Sequence, residues 1–288
     1  MASPEPSPLK IAVCQIAPTL GNLEANLRVH LDQIESARSQ GAELIVFPEL
    51  SLTGYFLRDM VPDVAQTRES PLLRRIVDAA GESALVLGFV EESPQHRFYN
   101  AAAFSENSEL RYVHRKVYLP TYGMFDEQRY FAAGERIAAF DTRFGRVGLL
   151  ICEDFWHLSC GVILGAEEID YLICISNSPG RGASGQHLAS SETWRLLNRC
   201  YARFLGAAVI FANRVGYEDG VCFWGGSEVI GPDGNVVGQA PELDPHLLVA
   251  AFDPAEIRRS RIYTPLARDE KLLLTIEELE RIRRERYA

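Results

Sequence analysis

Three apolar runs in this sequence end on a residue that can do chemistry. Leu44-Ile45-Val46-Phe47 leads into Pro48-Glu49, Tyr112-Val113-His114-Arg115 into Lys116, and Val147-Gly148-Leu149-Leu150-Ile151 into Cys152. A nucleophilic catalyst needs an attacking group, a base to take its proton, and a positive group where negative charge develops. A thiol, a carboxylate and an ammonium fill those roles. Each stands at the end of a strand-like run, and strand ends are rigid platforms for a site. The three lie far apart in the chain, so spacing alone does not join them.

Holding them together requires a layered frame, and the hydropathy pattern supplies its elements. Strands are predicted at 9–16, 44–47, 84–90, 171–175, 208–213 and 247–252. Helices are predicted at 23–39, where Leu23, Leu27, Leu31 and Ile34 form one face and Gly41 stops it, and at 71–80, 160–168 and 186–204. Hairpins are predicted for 100–105 with 110–114, for 136–141 with 146–151, and for 228–231 with 236–239 across the Pro232-Asp233-Gly234-Asn235 turn. Strands joined both by hairpins and by helices imply mixed sheets. Two such sheets packed face to face, with helices outside, account for the number of strands. The pattern is compatible with an internal repeat without demonstrating one. A single domain is expected over 1–288, with a tail at 1–8 and a C-terminal arm at 257–288.

Composition narrows the class. The chain has 288 residues, 47% hydrophobic and 24% charged, as expected of a globular enzyme that needs neither disulfide nor structural metal to fold. A formal net charge of −10 argues against nucleic acid as a partner, because phosphate binding needs a basic stripe. The one basic cluster, Arg281, Arg283, Arg284 and Arg286, is interleaved with Glu277, Glu278, Glu280 and Glu285. Its i,i+4 spacing, Glu277 to Arg281 and Glu280 to Arg284, predicts a solvated helix face. Six cysteines without a C-x-x-C pair suggest reduced, mostly buried thiols. The polar, Pro-rich start lacks the layout of a signal peptide, and no apolar run reaches membrane-spanning length, so a cytoplasmic protein without membrane contact is expected.

The stretches FPELSLTGY (47–55), HRKVYLP (114–120) and GLLICEDFW (148–156) together resemble the nitrilase superfamily of carbon–nitrogen hydrolases, with its Glu-Lys-Cys triad. The resemblance runs from Ile11 to about Phe252. Within that superfamily, LPTYGMFDEQRYFAAGE (119–135), ICEDFW (151–156) and SNSPGRG (176–182) are most similar to the glutamine-hydrolysing domain of glutamine-dependent NAD synthetases. No synthetase-like segment follows before Ala288. Released ammonia is therefore expected to pass to a separate ammonia-accepting synthetase or to leave.

The resemblance implies an α/β fold, a four-layer α-β-β-α sandwich of two mixed sheets flanked by helices, commonly dimeric. It implies Cys152 as nucleophile, Glu49 as general base, and Lys116 as the stabiliser of negative charge. Glu127 matches a second glutamate near the triad, suited to holding Lys116. Tyr122, Glu153, Ser178 and Arg181 match positions that contact the amino and carboxylate ends of glutamine. The loop at Ser178–Arg181 is shorter than in those relatives. The implied reaction is hydrolysis of a small primary carboxamide, glutamine or an analogue, to carboxylate and ammonia through a thioester. An N-carbamoyl or ω-amide hydrolase, and an accessory glutaminase-like subunit, are the alternatives.

Two further patterns point elsewhere and are set aside. Gly180-Arg181-Gly182-Ala183-Ser184-Gly185 matches G-x-G-x-x-G, but Leu205 stands where a ribose-binding acid belongs, so no dinucleotide is expected. His157 lies near Cys152, yet with Glu49 and Lys116 present a Cys–His pair is not needed. No metal-ligand spacing is found among the six histidines, so neither metal nor other cofactor is implied.

Overall fold

The structure is a computed structural model describing residues 8–184 and 187–287. In chain order its strands are β1 Leu9–Gln15, β2 Leu44–Val46, β3 Ala84–Glu92, β4 Phe98–Glu106, β5 Glu109–Arg115, β6 Ala139–Thr142, β7 Gly145–Ile151, β8 Tyr171–Ser176, β9 Ala183–Ser184, β10 His187–Leu188, β11 Ala208–Asn213, β12 Val215–Glu218, β13 Val221–Trp224, β14 Glu228–Ile230, β15 Val236–Gln239 and β16 His246–Phe252. The helices are α1 Leu23–Ser39, α2 Val61–Val64, α3 Pro71–Ala80, α4 Leu158–Ala166, α5 Ala189–Leu205, α6 Ala255–Tyr263, α7 Leu266–Asp269 and α8 Leu272–Arg286.

Two six-stranded sheets form the centre, in the orders β16-β1-β2-β3-β4-β5 and β6-β7-β8-β11-β14-β15. Along each, the pairings run antiparallel, parallel, parallel, antiparallel, antiparallel. The repeat that the sequence pattern left open is thus present in the ladders. β1 corresponds to β7, β2 to β8, β3 to β11, β4 to β14 and β5 to β15. The fold is the expected α-β-β-α sandwich.

Side-chain alternation divides the core into layers. Ile11 and Val13 of β1 and Val86 of β3 face the second sheet, packing with Val147, Leu149, Ile173 and Val209. Ala12, Cys14, Leu85, Leu87 and Phe89 face outward to Leu27 and Ile34 of α1 and to Leu73 and Ile76 of α3. The α3 sequence dictates its own limits. Ser70 caps the Leu73 amide, Pro71 opens the first turn, and Gly81, at φ 60°, ends the helix. Its buried residues, Leu73, Ile76, Val77 and Ala80, form one stripe.

Three expectations need correction. The long helix predicted from 186 starts at Ala189, because His187 and Leu188 pair with Ser184 and Ala183; residues 185 and 186 lie outside the described residues. The β12–β13 hairpin was not anticipated. Its turn, Asp219-Gly220, carries a hairpin signal, but Val215-Gly216-Tyr217-Glu218 lacks a clear period-two pattern. On α8, Arg281 pairs with Glu278 and Glu285 rather than with Glu277, while Glu280 pairs with Arg284 at 3.7 Å as expected. All six cysteines are free thiols, with Cys200 and Cys222 half-buried. Among the described residues no helix is long and apolar enough to cross a membrane.

Candidate active site

Glu49 is set by a tight turn after β2. The Phe47 amide extends the ladder to the Val86 carbonyl at 2.8 Å, and Leu50 takes a left-handed φ of 44°. The turn passes so close to β3 that a Cβ at Gly88 would lie 2.3 Å from the Leu50 nitrogen, so only glycine fits there. The Glu49 carboxylate is wholly buried. Oε1 accepts from Lys116 Nζ at 2.8 Å and Asn100 Nδ2 at 2.7 Å, and Oε2 accepts from the Asn177 amide at 2.7 Å.

Lys116 follows β5 and is also buried. Its ammonium donates to Glu127 Oε1 at 2.7 Å as well as to Glu49. An ammonium has three N–H donors, so one remains for a substrate oxygen. Burial alone would lower the Lys116 pKa; the Glu127 and Glu49 carboxylates outweigh it and hold the group well above the usual lysine range. Glu127 opens a short 3-10 turn, and its Oε1 also accepts from Tyr55 Oη at 2.7 Å. Burial pushes the Glu127 carboxyl up to about 7, against the pull of Lys116.

Cys152 stands one residue beyond β7 with φ 44°, an unfavourable backbone conformation for a side chain with a Cβ. It begins the 3-10 turn Cys152–Trp156. Ser176 Oγ donates to its Sγ at 3.3 Å. Burial and the charge of Glu49 push the Cys152 thiol well above the ordinary cysteine range, only partly opposed by Lys116. Burial thus favours the thiol over the thiolate at this position.

Asp154 holds this turn in register with the Lys116 strand end. It is fully buried, and its Oδ1 accepts from the Val117 and Tyr118 amides at 3.0 and 2.9 Å. Its Oδ2 takes the Ile151 amide at 3.1 Å and faces His114 Nε2 at 2.9 Å. Sequence reasoning named ICEDFW without assigning Asp154 a task. It also passed over Asn100, Tyr55, Ser176 and Asn177, although Tyr55, Ser176 and Asn177 lie inside the quoted motifs.

The predicted pocket residues are partly assembled. Tyr122 Oη donates to Glu153 Oε2 at 2.9 Å and Oε1 at 3.1 Å. Burial and this carboxylate push the phenol up to about 12. Phe125 packs edge-on against Tyr122, and the Arg181 guanidinium carbon lies 4.8 Å from the Phe125 ring centre. Ser178 lies deeper. Its Oγ accepts from Trp194 Nε1 at 2.7 Å and Trp224 Nε1 at 3.1 Å, leaving its O–H hydrogen for a further partner. His157 stacks on Tyr118 at 3.5 Å and stands 3.7 Å from Glu153.

A carboxylate, an ammonium, a second carboxylate and a thiol thus converge from the two sheets. The carbon–nitrogen hydrolase family model matches residues 10–262. The chain belongs to the carbon–nitrogen hydrolase family. Among curated relatives it is 31% identical over 257 residues to the glutamine-dependent NAD(+) synthetase of Acinetobacter baylyi, covering 88% of this chain and 46% of that protein. It therefore spans about half the length of such relatives. It is 28% identical to the N-carbamoylputrescine amidase of Oryza sativa, covering 85% of this chain and 87% of that one. Among solved structures, the glutamine-dependent NAD+ synthetase of Acinetobacter baumannii matches with TM-score 0.77 at 29% identity, over 86% of this chain and 46% of that one. A carbon–nitrogen hydrolase from Helicobacter pylori matches with TM-score 0.81 at 21% identity, over 94% and 98%, a likeness of fold alone.

Proposed function

We propose that this protein is an amidase that hydrolyses a small primary carboxamide, glutamine or a glutamine-like amide, to carboxylate and ammonia. The observation that carries the reading is the buried Lys116 ammonium bonded to both Glu49 and Glu127, beside the Cys152 thiol. Glu49 takes the thiol proton as Sγ attacks the amide carbon. The remaining Lys116 N–H bonds the developing oxyanion. The C–N bond breaks as Glu49 passes the proton to nitrogen, releasing ammonia and leaving a Cys152 thioester. Glu49 then removes a proton from water, whose oxygen attacks the thioester carbon; the C–S bond breaks, Glu49 returns the proton to Sγ, and the carboxylate product leaves. An amino-acid amide suits the rim. Glu153 would pair its ammonium, Arg181 would fork onto its carboxylate, and Tyr122 and Ser178 would complete the pocket.

A panel of glutamine, asparagine, short aliphatic amides and N-carbamoyl amino acids, assayed for ammonia, tests this. Ammonia from glutamine at the highest kcat/KM supports the reading. Turnover confined to N-carbamoyl compounds, with carbon dioxide released, replaces it with the second reading. That alternative is favoured by one observation: the likeness to the rice N-carbamoylputrescine amidase, 28% identical over 267 residues. Silence on every amide, relieved by adding an ammonia-using synthetase, would mark an accessory subunit instead.

We also propose that copies of the chain associate through α4 and α5, whose outer faces expose Leu158, Val162, Leu196 and Phe204.

A further inference from the structure

The β12–β13 hairpin contributes no residue to the triad, yet it carries a buried ion pair. Arg214, just before β12, donates from Nη1 to Glu218 Oε2 at 2.7 Å, and both side chains are sealed from solvent. Two buried charges are a poor route to stability, since desolvation offsets most of their attraction. What distinguishes this pair is where its other carboxylate oxygen goes. Glu218 Oε1 accepts the amides of Tyr55 and Phe56 at 2.8 and 2.7 Å, across 163 and 162 residues of chain. Tyr55 Oη in turn donates to Glu127 Oε1, the atom that also receives Lys116.

The fit around Glu218 is close. Gly54 has φ 80°, and a Cβ there would stand 2.7 Å from Glu218 Oε2. The Arg214 guanidinium lies 4.2 Å from the Phe223 ring centre, and Phe223 meets Tyr55 edge-on. On its other side the hairpin holds the pocket loop, since the Gly180 amide donates to the Cys222 carbonyl at 2.8 Å and Pro179 bridges Phe223. The Arg214 amide donates at 3.1 Å to the carbonyl of Ser176, the residue whose hydroxyl donates to Cys152 Sγ. The hairpin thus grips the base of the pocket from both halves of the molecule.

We propose that Glu218, anchored by Arg214, is a positioning residue for hydrolysis: it fixes the Tyr55 phenol on Glu127 and, through Glu127, the ammonium of Lys116. Removing the Tyr55 donor leaves the Glu127 carboxyl holding its proton to higher pH, because that hydrogen bond favours the ionised form. The charged and titratable groups facing Glu127 are Lys116 from the end of β5, Glu49 from the turn after β2, and Tyr55. Cys152 beyond β7 feels its charge.

The test rests on Cys152 as nucleophile but not on any substrate. Iodoacetamide alkylation of the full chain, followed as the mass of the Cys152 peptide across the pH range, reads the thiol directly. Tyr55→Phe is expected to slow alkylation about tenfold and move the near-neutral limb upward. Glu218→Gln is expected to do the same, and the double variant to go no further than either single one. Arg214→Lys, which keeps the charge, should recover much of the rate lost in Arg214→Met. Asp219→Asn, at the exposed hairpin tip, should alkylate like the unaltered protein. Wild-type rate and limb in Glu218→Gln overturn the proposal. So do multiplicative losses in the double variant, or a slowing that leaves the limb in place. Should Glu218→Gln fail to fold by circular dichroism, the Arg214→Lys and Arg214→Met pair decides on the same two readouts. An unaltered Cys152 that never alkylates would instead count against the hydrolase reading itself.

Discussion

The two sheets share one ladder and use its ends differently. In the first, the turn after β2 supplies Glu49 and the residue after β5 supplies Lys116. In the second, the residue after β7 supplies Cys152, while the end of β8 supports the others through Ser176 and Asn177. At the positions equivalent to Cys152 and Lys116 stand Ile16 and Ala240, both buried and chemically inert. Gln15, next to Ile16, spends its amide on Pro241, Asp244 and Ser227. A strand end is thus only a platform. Reactive groups gather where the opposite half places a partner in reach, and elsewhere the strand end is absorbed into packing.

Experiments can press on that difference, beginning with the two thiols on equivalent strands. Cys152→Ala should lower ammonia release at least about a thousandfold without unfolding the protein, because the nucleophile is lost. Cys14→Ala, in the helix-facing layer of β1, should keep kcat and cost on the order of 1 kcal/mol in a denaturant titration. If both lost activity equally, the strand ends would not differ as described.

Lys116→Met probes the charged end against its inert counterpart. It strands the Glu49 and Glu127 carboxylates in a buried site, so roughly 3–5 kcal/mol of stability should disappear along with activity. Ala240→Val should alter stability while sparing kcat.

His30 makes the first half the acid-sensitive one. It is buried on α1, donates from Nδ1 to the Asn26 carbonyl, faces Ser51 through Nε2, and stacks on Phe47. Burial lowers its pKa from 6.5 to about 4. Above 6.5 the imidazole is neutral folded or unfolded, and its contribution is complete. As pH falls from there toward 4, the unfolded chain takes up the proton first. About 1.4 kcal/mol per pH unit, roughly 3 kcal/mol in all, is then lost from this group. Acid titration of unfolding free energy should show this slope, and His30→Gln should flatten it. Hydrogen exchange should rise first in α1.

The helix layers differ as well. The stripe on α3 is buried, whereas α5 leaves Leu196 and Phe204 outward. Charging both as Leu196→Arg and Phe204→Arg should lower the assembly mass in light scattering, with the Cys152 alkylation rate unchanged. The smallest effect is expected at Arg281, whose ion pairs on α8 are exposed. Arg281→Ala should leave the melting temperature within experimental scatter.

Much of this was legible in the chain. The apolar runs of β1 and β3 and the cap, proline and glycine of α3 state their own structure locally. Glu49, Lys116 and Cys152 announced themselves by reactive type at strand ends. The groups that hold them did not, because each works at a distance in sequence: Asn100 on Glu49, Asp154 on Val117 and Tyr118, Glu218 on Tyr55. Glu218 has no local signature, sitting in a hairpin whose first strand shows weak alternation. Arg281 illustrates the reverse. Its neighbours offered several partners of similar worth, and spacing could not choose among them.

The strand that completes the first sheet comes last. β16 pairs with β1 along its full length, from Leu9 opposite Phe252 to Gln15 opposite His246. During synthesis, the sheet that bears the acid and the ammonium therefore keeps an open edge until residue 252 has left the ribosome. The sheet that bears Cys152, ending with β15, can close earlier. A chain interrupted between the two would present β1 as an unpaired template, prone to aggregate rather than to hydrolyse. Completion of the first sheet is thereby tied to translation through β16.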